Sequence, residues 1–263
     1  MSSAGECLVP LPWETRNLGM TSFALADAFL ARPDEDLLRK VLAEAARRGR
    51  VFVQARIAID SGLSRVLERC GFYFVEATVC PHTSLAANLA LRGFKADPRQ
   101  FLPARYRKAD LEVVLPGKRA ASHGAAVRRI AGEAFTTDRF HVDHNCEKGI
   151  ASRRYQFWID DLLRDDSVAF DLLLFRKQMI AFMARRAERL LLAGFEGKYV
   201  NSGLGEFLWL ASMQHMAGAG MKRADTLVSV NNTASLNLHA RIGFKFREPR
   251  ATFHYWSQPA GSP

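Results

Sequence analysis

The chain has 263 residues, of which 48% are hydrophobic and 24% charged, with a formal net charge of +10 and a pI of about 9.8. This is the composition of a globular protein, in one large domain or two small ones, and no apolar run is long enough to span a membrane. The positive surplus suggests an anionic partner such as nucleic acid, an acidic membrane or a phosphorylated small molecule, but lysines and arginines occur in twos and threes, without a basic block.

The first hundred residues are predicted to form a small α/β unit. Apolar residues at helical spacing predict a helix over 34–47, started by Asp34 or Asp36, and a second helix over 61–69. Strands are predicted at RVFVQARIA and FYFVEATV, and TSFALADAFL is predicted to be a strand that runs into a turn. The stretch 81–110 carries prolines and the charge run RYRK, and it is predicted to be an irregular linker or an excursion between the halves.

The second half is predicted to be a longer α/β unit. A strand at LEVVLPG precedes helices over 120–135 and 150–163, which flank the polar loop TTDRFHVDHNCEKG. The aromatic face of the second helix, with Tyr155 and Trp158, is interpreted as core. Three strands, SVAFDLLLF, QMIAFMARRA and RLLLAGF, lead through a glycine-bearing turn into a helix. The strand ADTLVSV, a helix starting at Asn232 and the strands FKFRE and ATFHYW follow.

The two halves contain a weak internal repeat. The segments DSGLSRVLERCGFYFVEATV and NNTASLNLHARIGFKFREPRATF each predict a short helix, a Gly-Phe pair and an aromatic strand. When they are aligned on Gly71 and Gly243, His239 falls opposite Leu67. We therefore predict two related halves, divided into domains 1–107 and 108–263, of which only the second carries a polar residue at this position.

Cysteine usage and the chain start predict a cytoplasmic protein. Cys7, Cys70, Cys80 and Cys146 have neither CxxC nor zinc-finger spacing, which predicts reduced thiols. The opening MSSAGECLVPLPWE is not a signal peptide. The segment HVDH places two histidines and an aspartate close together, but it is predicted to be a flexible loop, and we predict no metal site.

The segment NSGLGEFLWLASM predicts a glycine turn that opens a helix. Gly203 and Gly205 would let backbone N–H groups approach a ligand closely, and the first amides of a helix carry the positive end of its dipole. Together these features suit a pyrophosphate. Taken alone, the pattern is more typical of an ordinary strand-to-helix turn, capped by Ser202 or Asn201.

The order of elements over 111–256 resembles the GNAT acyltransferase superfamily. The segments LVPLPWETRNLGMTSFAL, VQARIAIDSGLSRVLERCGFYFVEATV, AGEAFTTDRFHVDH and YQFWIDDLL further resemble the bacterial TDP-fucosamine acetyltransferases. The resemblance implies an α/β (α+β) GNAT fold, with a central mixed sheet flanked by helices, preceded by a smaller GNAT-like domain. It also implies transfer of an acetyl group from acetyl-CoA, without a metal, to a primary amine of a TDP-linked amino sugar by direct attack in a ternary complex.

The resemblance also implies a cofactor site. In the superfamily the glycine turn binds the pyrophosphate of CoA, and the pantetheine arm lies between two splayed strands. The usual Gln or Arg three residues before the first glycine is replaced by Val200, which leaves the strength of CoA binding open. The residues assigned to the cofactor are Leu192, Ala193, Gly194, Gly203, Leu204, Gly205, Glu206, Asn232 and Ser235.

His239 stands where the superfamily often has a tyrosine that protonates the departing CoA thiolate. Imidazole can offer an N–H donor and titrates near neutral pH, so the resemblance implies that His239 is the catalytic acid. The alternative is a surface or half-buried structural histidine, and the sequence favours neither.

The acceptor is predicted to meet the loop after the helix 120–135. Arg139, His141 and Glu196 are assigned to it, with Arg139 facing an anionic group such as a nucleotide diphosphate. The attacking amine must be neutral, which requires a base or a water chain to solvent. The candidates for the base are Asp138, His141, Asp143, His144 and Glu196.

Other functions remain as alternatives. The acceptor could be an amino acid, an aminoglycoside-like compound or a protein amine, and Val200 with the missing tyrosine would also suit a non-catalytic CoA-binding module. We expect the binding partner to be a small, anionic amine, and we expect neither nucleic acid nor a membrane as a partner. A homodimer is left open.

Overall fold

The computed structural model describes residues 7–91, 98–114 and 122–257. One mixed sheet runs through these residues. Its strands are β1 (Leu8–Pro10), β2 (Thr21–Leu25), β3 (Val51–Ala58), β4 (Tyr73–Ser84), β5 (Leu111–Val114), β6 (Val168–Phe175), β7 (Gln178–Arg186), β8 (Arg189–Phe195), β9 (Arg223–Asp225), β10 (Val228–Ser229) and β11 (Lys245–Trp256). They lie in the order β1-β2-β3-β11-β4-β9-β8-β7-β6-β5, and β10 pairs with β4.

Helices cover both faces of this sheet. They are α1 (Pro12–Leu18), α2 (Asp27–Ala31), α3 (Glu35–Arg47), α4 (Ser64–Arg69), α5 (Leu85–Leu91), α6 (Gly124–Ala134), α7 (Arg139–Val142), α8 (Lys148–Leu163), α9 (Leu204–Gly218) and α10 (Thr233–Arg241). The start of α3 is confirmed, because the Asp34 side chain accepts a hydrogen bond from the Leu37 amide at 2.9 Å. None of the helices described here has the length and apolarity needed to cross a bilayer.

The last strand joins the two halves of the chain. β11 lies between β3 and β4 and pairs antiparallel with both, for example with Ala251 opposite Ile57 on one side and Ala77 on the other. The sheet is therefore continuous across the predicted boundary at 107–108. The prediction of two separate final strands is wrong, because a register shift between Arg247 and Arg250 bends one strand without ending it.

The predicted linker is largely structured. Residues 81–84 continue β4, residues 85–91 form α5, and 3-10 turns span Pro98–Phe101 and Ala104–Tyr106. Leu85 and Leu102 are buried with α9 in the core of the second half. The prolines at the edges of this stretch obscured a short apolar helix. Residues 92–97, the end of LEVVLPG and the predicted start of the helix 120–135 lie outside the described residues.

The core is built in layers. In the first half, α3 packs against the sheet through Leu38, Val41 and Leu42. In the second half, α9 covers one face, where Leu208 and Met213 are fully buried, and α6 and α8 cover the other. Cys7, Cys70, Cys80 and Cys146 are buried and unbridged.

The internal repeat predicted from the sequence is present in the fold. Each copy is a short helix followed by a glycine with positive φ, 87° at Gly71 and 83° at Gly243, and then a long strand. Leu67 and His239 occupy the same place, and each is 1% exposed. His239 is therefore a core residue by position, and its polar atoms need partners inside the protein.

The middle of the sheet opens where β8 and β9 diverge. These two strands are parallel, but they pair only at Arg189 and Asp225. The chain then turns away, and Val228 pairs with Val79 of β4. This divergence explains why the predicted strand ADTLVSV is split into β9 and β10. It leaves a gap beside β8, between the two halves of the chain.

Candidate functional site

Two adjoining cavities lie in this gap. The inner cavity, of about 330 Å³, lies between β8, β10 and residues of β3 and β4. The glycine-turn cavity, of about 430 Å³, lies between the start of α9 and the start of α10. Phe135, Ala193, Asn232 and Ser235 border both. A long ligand could therefore pass from one cavity into the other along β8.

The glycine-turn cavity is bordered by the start of α9, including Gly203 and Glu206. Gly203 precedes α9 with a φ of 84° and contributes no side chain to cap the helix. A Cβ atom at this position would stand 2.7 Å from Cγ of Pro103, so only glycine fits. Ser202 Oγ accepts a hydrogen bond from the Leu204 amide at 3.3 Å. The remaining first-turn amides and the helix dipole make this end of α9 attractive to phosphate.

Most residues assigned to the cofactor border these cavities. Asn232, where the sequence predicts the start of a helix, caps α10 by accepting a hydrogen bond from the Ser235 amide at 3.0 Å. Leu204 is fully buried and borders neither cavity. Val200 is 52% exposed at the rim of the glycine-turn cavity. The cavity-lining members of the predicted set are Leu192, Ala193, Gly194, Gly203, Gly205, Glu206, Asn232 and Ser235.

His239 borders the inner cavity, but both of its ring nitrogens are engaged. Nδ1 lies 2.8 Å from the Ser235 carbonyl oxygen, which can only accept, and Nε2 lies 3.1 Å from Nε1 of Trp209, which can only donate. The ring is therefore neutral, with its proton on Nδ1. Burial lowers its pKa, opposed by the hydrogen bond to Ser235. These bonds do not support the role of proton donor to a thiolate.

The inner cavity carries a buried charge network. Glu14 accepts hydrogen bonds from Arg154 at 2.8 and 3.0 Å and from Arg139 at 3.0 Å. Burial raises the pKa of the Glu14 carboxyl, but the two guanidinium groups more than offset this, so that the pKa is lowered overall. Glu14 therefore stays ionised and neutralises one of its two arginine partners.

A third arginine has no such partner. Arg56 of β3 borders the inner cavity, and within the described residues it makes no hydrogen bond and no ion pair. Its Nε atom is buried and unbonded. The positive charge of Arg139, and then burial, lower the pKa of Arg56 to about 10. Arg56 is thus a charged group without a direct partner, and the carboxylates of Glu76 and Glu14 offset only part of the fall in its pKa.

Glu76 of β4 is the corresponding anion. It is 3% exposed, borders the inner cavity, and its Oε2 atom has no hydrogen-bond partner among the described residues. Burial raises the pKa of this carboxyl above its usual value, opposed by the charge of Arg139 and by the Ser229 hydroxyl. A buried carboxylate with a raised pKa and a free oxygen can accept a proton from a bound ligand.

The structure brings together only some of the residues assigned to the acceptor. Arg139 and Asp138 border the inner cavity, but His141 and Glu196 border neither cavity. His141 hydrogen-bonds Asp138, and Glu196 forms ion pairs with Arg129 at 3.6 Å and Lys198 at 3.5 Å. Tyr155 and Trp158, interpreted as core, also line the inner cavity.

Two other candidates for the base, Asp143 and His144, lie outside both cavities. Asp143 is 2% exposed and accepts hydrogen bonds from Tyr73 at 2.7 Å, His254 at 2.7 Å and Trp256 at 2.9 Å. Its role is to hold the loop after α7 against the first half. In the described part of the chain, no group of three or more His, Cys, Asp or Glu side chains could hold a metal ion.

Sequence reasoning missed Arg56 and Glu76. Each is a charged residue within a strand whose neighbours are apolar, in VFVQARIA and in FYFVEATV. A charge inside a buried strand is costly unless it has a use or a partner. That signal was present, but the predicted site was confined to the second half of the chain.

Comparisons with known proteins bear on the fold. No protein-family model matches the chain. A search of curated proteins also finds no match. A functionally unknown conserved protein from Staphylococcus epidermidis is similar in structure, with a TM-score of 0.61 and 9% identity, over 95% of this chain and 90% of that one.

Two further solved structures are named as acetyltransferases or GNAT proteins. A GCN5-related N-acetyltransferase from Sphaerobacter thermophilus has a TM-score of 0.58 and 14% identity, over 96% of this chain and 76% of that one. A tandem GNAT protein from the clavulanic acid biosynthesis pathway has a TM-score of 0.56 and 12% identity, over 91% and 76%. At these identities the likeness shows the fold, and the chain has the GNAT fold. The finer resemblance to TDP-fucosamine acetyltransferases stays a prediction.

Proposed function

We propose that this protein is an acetyl-CoA-dependent N-acetyltransferase that acts on a primary amine of a small, anionic molecule. The observation that carries the proposal is the gap beside β8, where an anion-binding helix start adjoins a cavity with a buried, unpaired carboxylate. The first feature suits the pyrophosphate of CoA, and the second suits an amine that must lose a proton.

The cofactor would enter through the glycine-turn cavity. Its pyrophosphate would bind the amides at the start of α9, and its pantetheine arm would lie along the edge of β8 that β9 leaves open. The Arg105 guanidinium, which donates to the Ser202 carbonyl at 2.9 Å, adds positive charge beside the turn. The acetyl group would then reach the inner cavity between Ala193 and Asn232, which border both cavities.

Glu76 would prepare the acceptor. Its carboxylate takes one proton from the bound ammonium, and the neutral amine attacks the thioester carbonyl. The C–N bond forms, the C–S bond breaks, and the second amine proton passes to the departing thiolate. The products are an acetamide and the free thiol of CoA, and Glu76 returns its proton to water. No metal is needed for these steps.

The acceptor would carry negative charge because Arg56 and Arg139 face the inner cavity. A nucleotide-linked amino sugar, such as a TDP-amino sugar, is the acceptor that the sequence resemblance favours. An amino acid is the next candidate. An aminoglycoside-like polycation fits these arginines poorly, since like charges repel in a buried site.

The proposal predicts both cofactor binding and turnover. Acetyl-CoA should raise the melting temperature, since a ligand that binds only the folded state stabilises it, by about 2.7 kcal/mol at 100 times Kd. Thiol release from acetyl-CoA should then appear with at least one amine in a panel of TDP-linked amino sugars, amino acids and aminoglycosides. A melting shift without turnover would indicate a CoA-binding module. The absence of both the melting shift and turnover would contradict the proposal.

Gly203→Ala should weaken acetyl-CoA binding by about tenfold or more, because the new Cβ clashes with Pro103 and distorts the turn that holds the amides. Gly218→Ala is the matched control, because that residue lies in the same helix with open space around its Cβ position. The measurement is the Kd of acetyl-CoA by calorimetry. Equal affinity in the two variants would place the pyrophosphate elsewhere.

A further inference from the structure

We infer that the acceptor is a zwitterion, whose anionic group binds Arg56 and whose ammonium group lies against Glu76, so that two strands of the first half select the substrate. The inference rests on the proposed function and names the class of molecule on which the site acts. It depends on the positions of the two side chains in the sheet and on the hydrogen-bond and ion-pair partners that they lack.

Arg56 and Glu76 lie in one row across three strands. Thr252 of β11 pairs with Arg56 of β3 on one side and with Glu76 of β4 on the other. Side chains opposite each other on neighbouring strands project from the same face of a sheet. Strands are about 4.8 Å apart, so the two Cα atoms are separated by about 10 Å. Both side chains border the inner cavity.

The two side chains make no direct contact, although each charge favours the charged form of the other at longer range. No salt bridge joins Arg56 to Glu76, and among the described residues neither has an ion-pair partner of its own. Thr252 Oγ1, which lies between them in the row, is also buried without a hydrogen bond. Each of three successive residues in the row therefore carries a buried polar atom without a partner among the described residues, although buried polar groups are normally paired.

Beside the same cavity, the neighbouring charges of Glu14, Arg139 and Arg154 are paired by direct hydrogen bonds. Arg139 and Arg154 share Glu14, and the carboxylate of Asp138, which also borders the cavity, favours the charged form of both arginines. An anionic group placed at Arg56 would supply the direct partner that this arginine lacks. An ammonium group placed at Glu76 would compensate the carboxylate. A ligand that carries both groups satisfies the whole row at once.

This arrangement excludes other amines by leaving charges unpaired. A simple alkylamine would pair with Glu76 but leave Arg56 without an anionic partner. A polycation would be repelled by the guanidinium groups of three arginines. A site built to pair with a substrate group discriminates strongly against analogues that lack it. The anionic group of the acceptor is therefore a requirement for binding.

The first test measures the stability of the free protein. Arg56→Met removes a charge that has no direct partner and should raise the melting temperature by about 2 °C or more. Arg154→Met is the matched control, because it makes the same change at a paired arginine. It removes two hydrogen bonds from Glu14 and should lower the melting temperature by about 5 °C or more. If Arg56→Met lowered the melting temperature as much as Arg154→Met, the inference would be overturned, because Arg56 would then be compensated within the protein.

The second test measures specificity. Matched amines that differ only in an anionic group, such as glucosamine 6-phosphate with glucosamine and 4-aminobutyrate with butylamine, are offered with acetyl-CoA. At least one zwitterion should exceed its partner in kcat/KM by about a hundredfold, and Arg56→Met should reduce that ratio by about tenfold or more. Melting shifts with acetyl-CoA but equal rates within every pair would overturn the inference and leave the proposed function standing. No acetyl-CoA shift in the unaltered protein would overturn the proposed function, and the inference with it.

Discussion

Glu76→Gln is expected to lower kcat of the proposed acetyl transfer by about a hundredfold or more, with an unchanged melting shift on addition of acetyl-CoA. Glutamine keeps the size of the side chain but cannot take a proton from the acceptor ammonium. The unaltered protein should lose activity as the pH falls through the pKa of Glu76, which burial raises above the usual carboxyl value. The variant should lack this acidic limb.

The variant should also fold normally. A carboxyl whose pKa is raised in the folded state gains protons on folding, so its ionised form costs stability at neutral pH, and this cost disappears as the pH falls. Removing the charge at Glu76 should therefore leave the melting temperature equal or higher at pH 7. Loss of activity would then reflect the lost proton acceptor rather than unfolding.

Glu196→Gln is the matched control for this experiment. The sequence offered Glu196 as a base and as an acceptor residue, but its carboxylate pairs with Arg129 and Lys198 and borders neither cavity. It should retain kcat within about twofold. A large loss in Glu196→Gln, together with little change in Glu76→Gln, would contradict the assignment of the base.

The second half of the fold could be predicted in detail because its signals are local. The alternation of apolar residues marks the strands, and Gly203 marks the start of α9. The cap of α10 is also local, since Asn232 accepts from an amide three residues ahead. Such patterns depend on neighbours in the chain, and the sequence contains them in full.

The inner cavity could not be predicted in the same way, because it depends on pairing between distant strands. Arg56 and Glu76 meet only because β11 inserts between β3 and β4 and places Thr252 between them. A contact of this kind crosses the predicted domain boundary at 107–108. The candidate bases predicted from the sequence all lie in the second half for the same reason.

In the proposed function, the first half therefore contributes chemistry as well as support. Glu14 of α1 fixes Arg139 and Arg154, which belong to the second half, and β3 and β4 supply Arg56 and Glu76. Asp143 holds the loop after α7 through side chains of β4 and β11. In the proposed function, the cofactor site is therefore formed mainly by the second half, and the acceptor site is assembled from both halves.

His239→Ala should lower the melting temperature by about 5–15 °C but retain kcat within about tenfold when assayed well below that temperature. The ring is 1% exposed, and its removal leaves a cavity and a buried Trp209 N–H without an acceptor, which costs about 2–4 kcal/mol. The modest effect on kcat follows from the hydrogen bonds, because the Nδ1 proton is committed to the Ser235 carbonyl.

Leu67→Ala provides the control that the internal repeat makes available. Leu67 occupies the equivalent place in the first half, is equally buried and borders neither cavity. If His239 is structural, both variants should lose several degrees and keep their activity. If His239 protonates the thiolate, as the superfamily tyrosine implies, only His239→Ala should lose kcat by a hundredfold or more. That result would require His239 to break its bond to Ser235 or Trp209 during turnover, and the activity of Leu67→Ala would show that the loss is chemical.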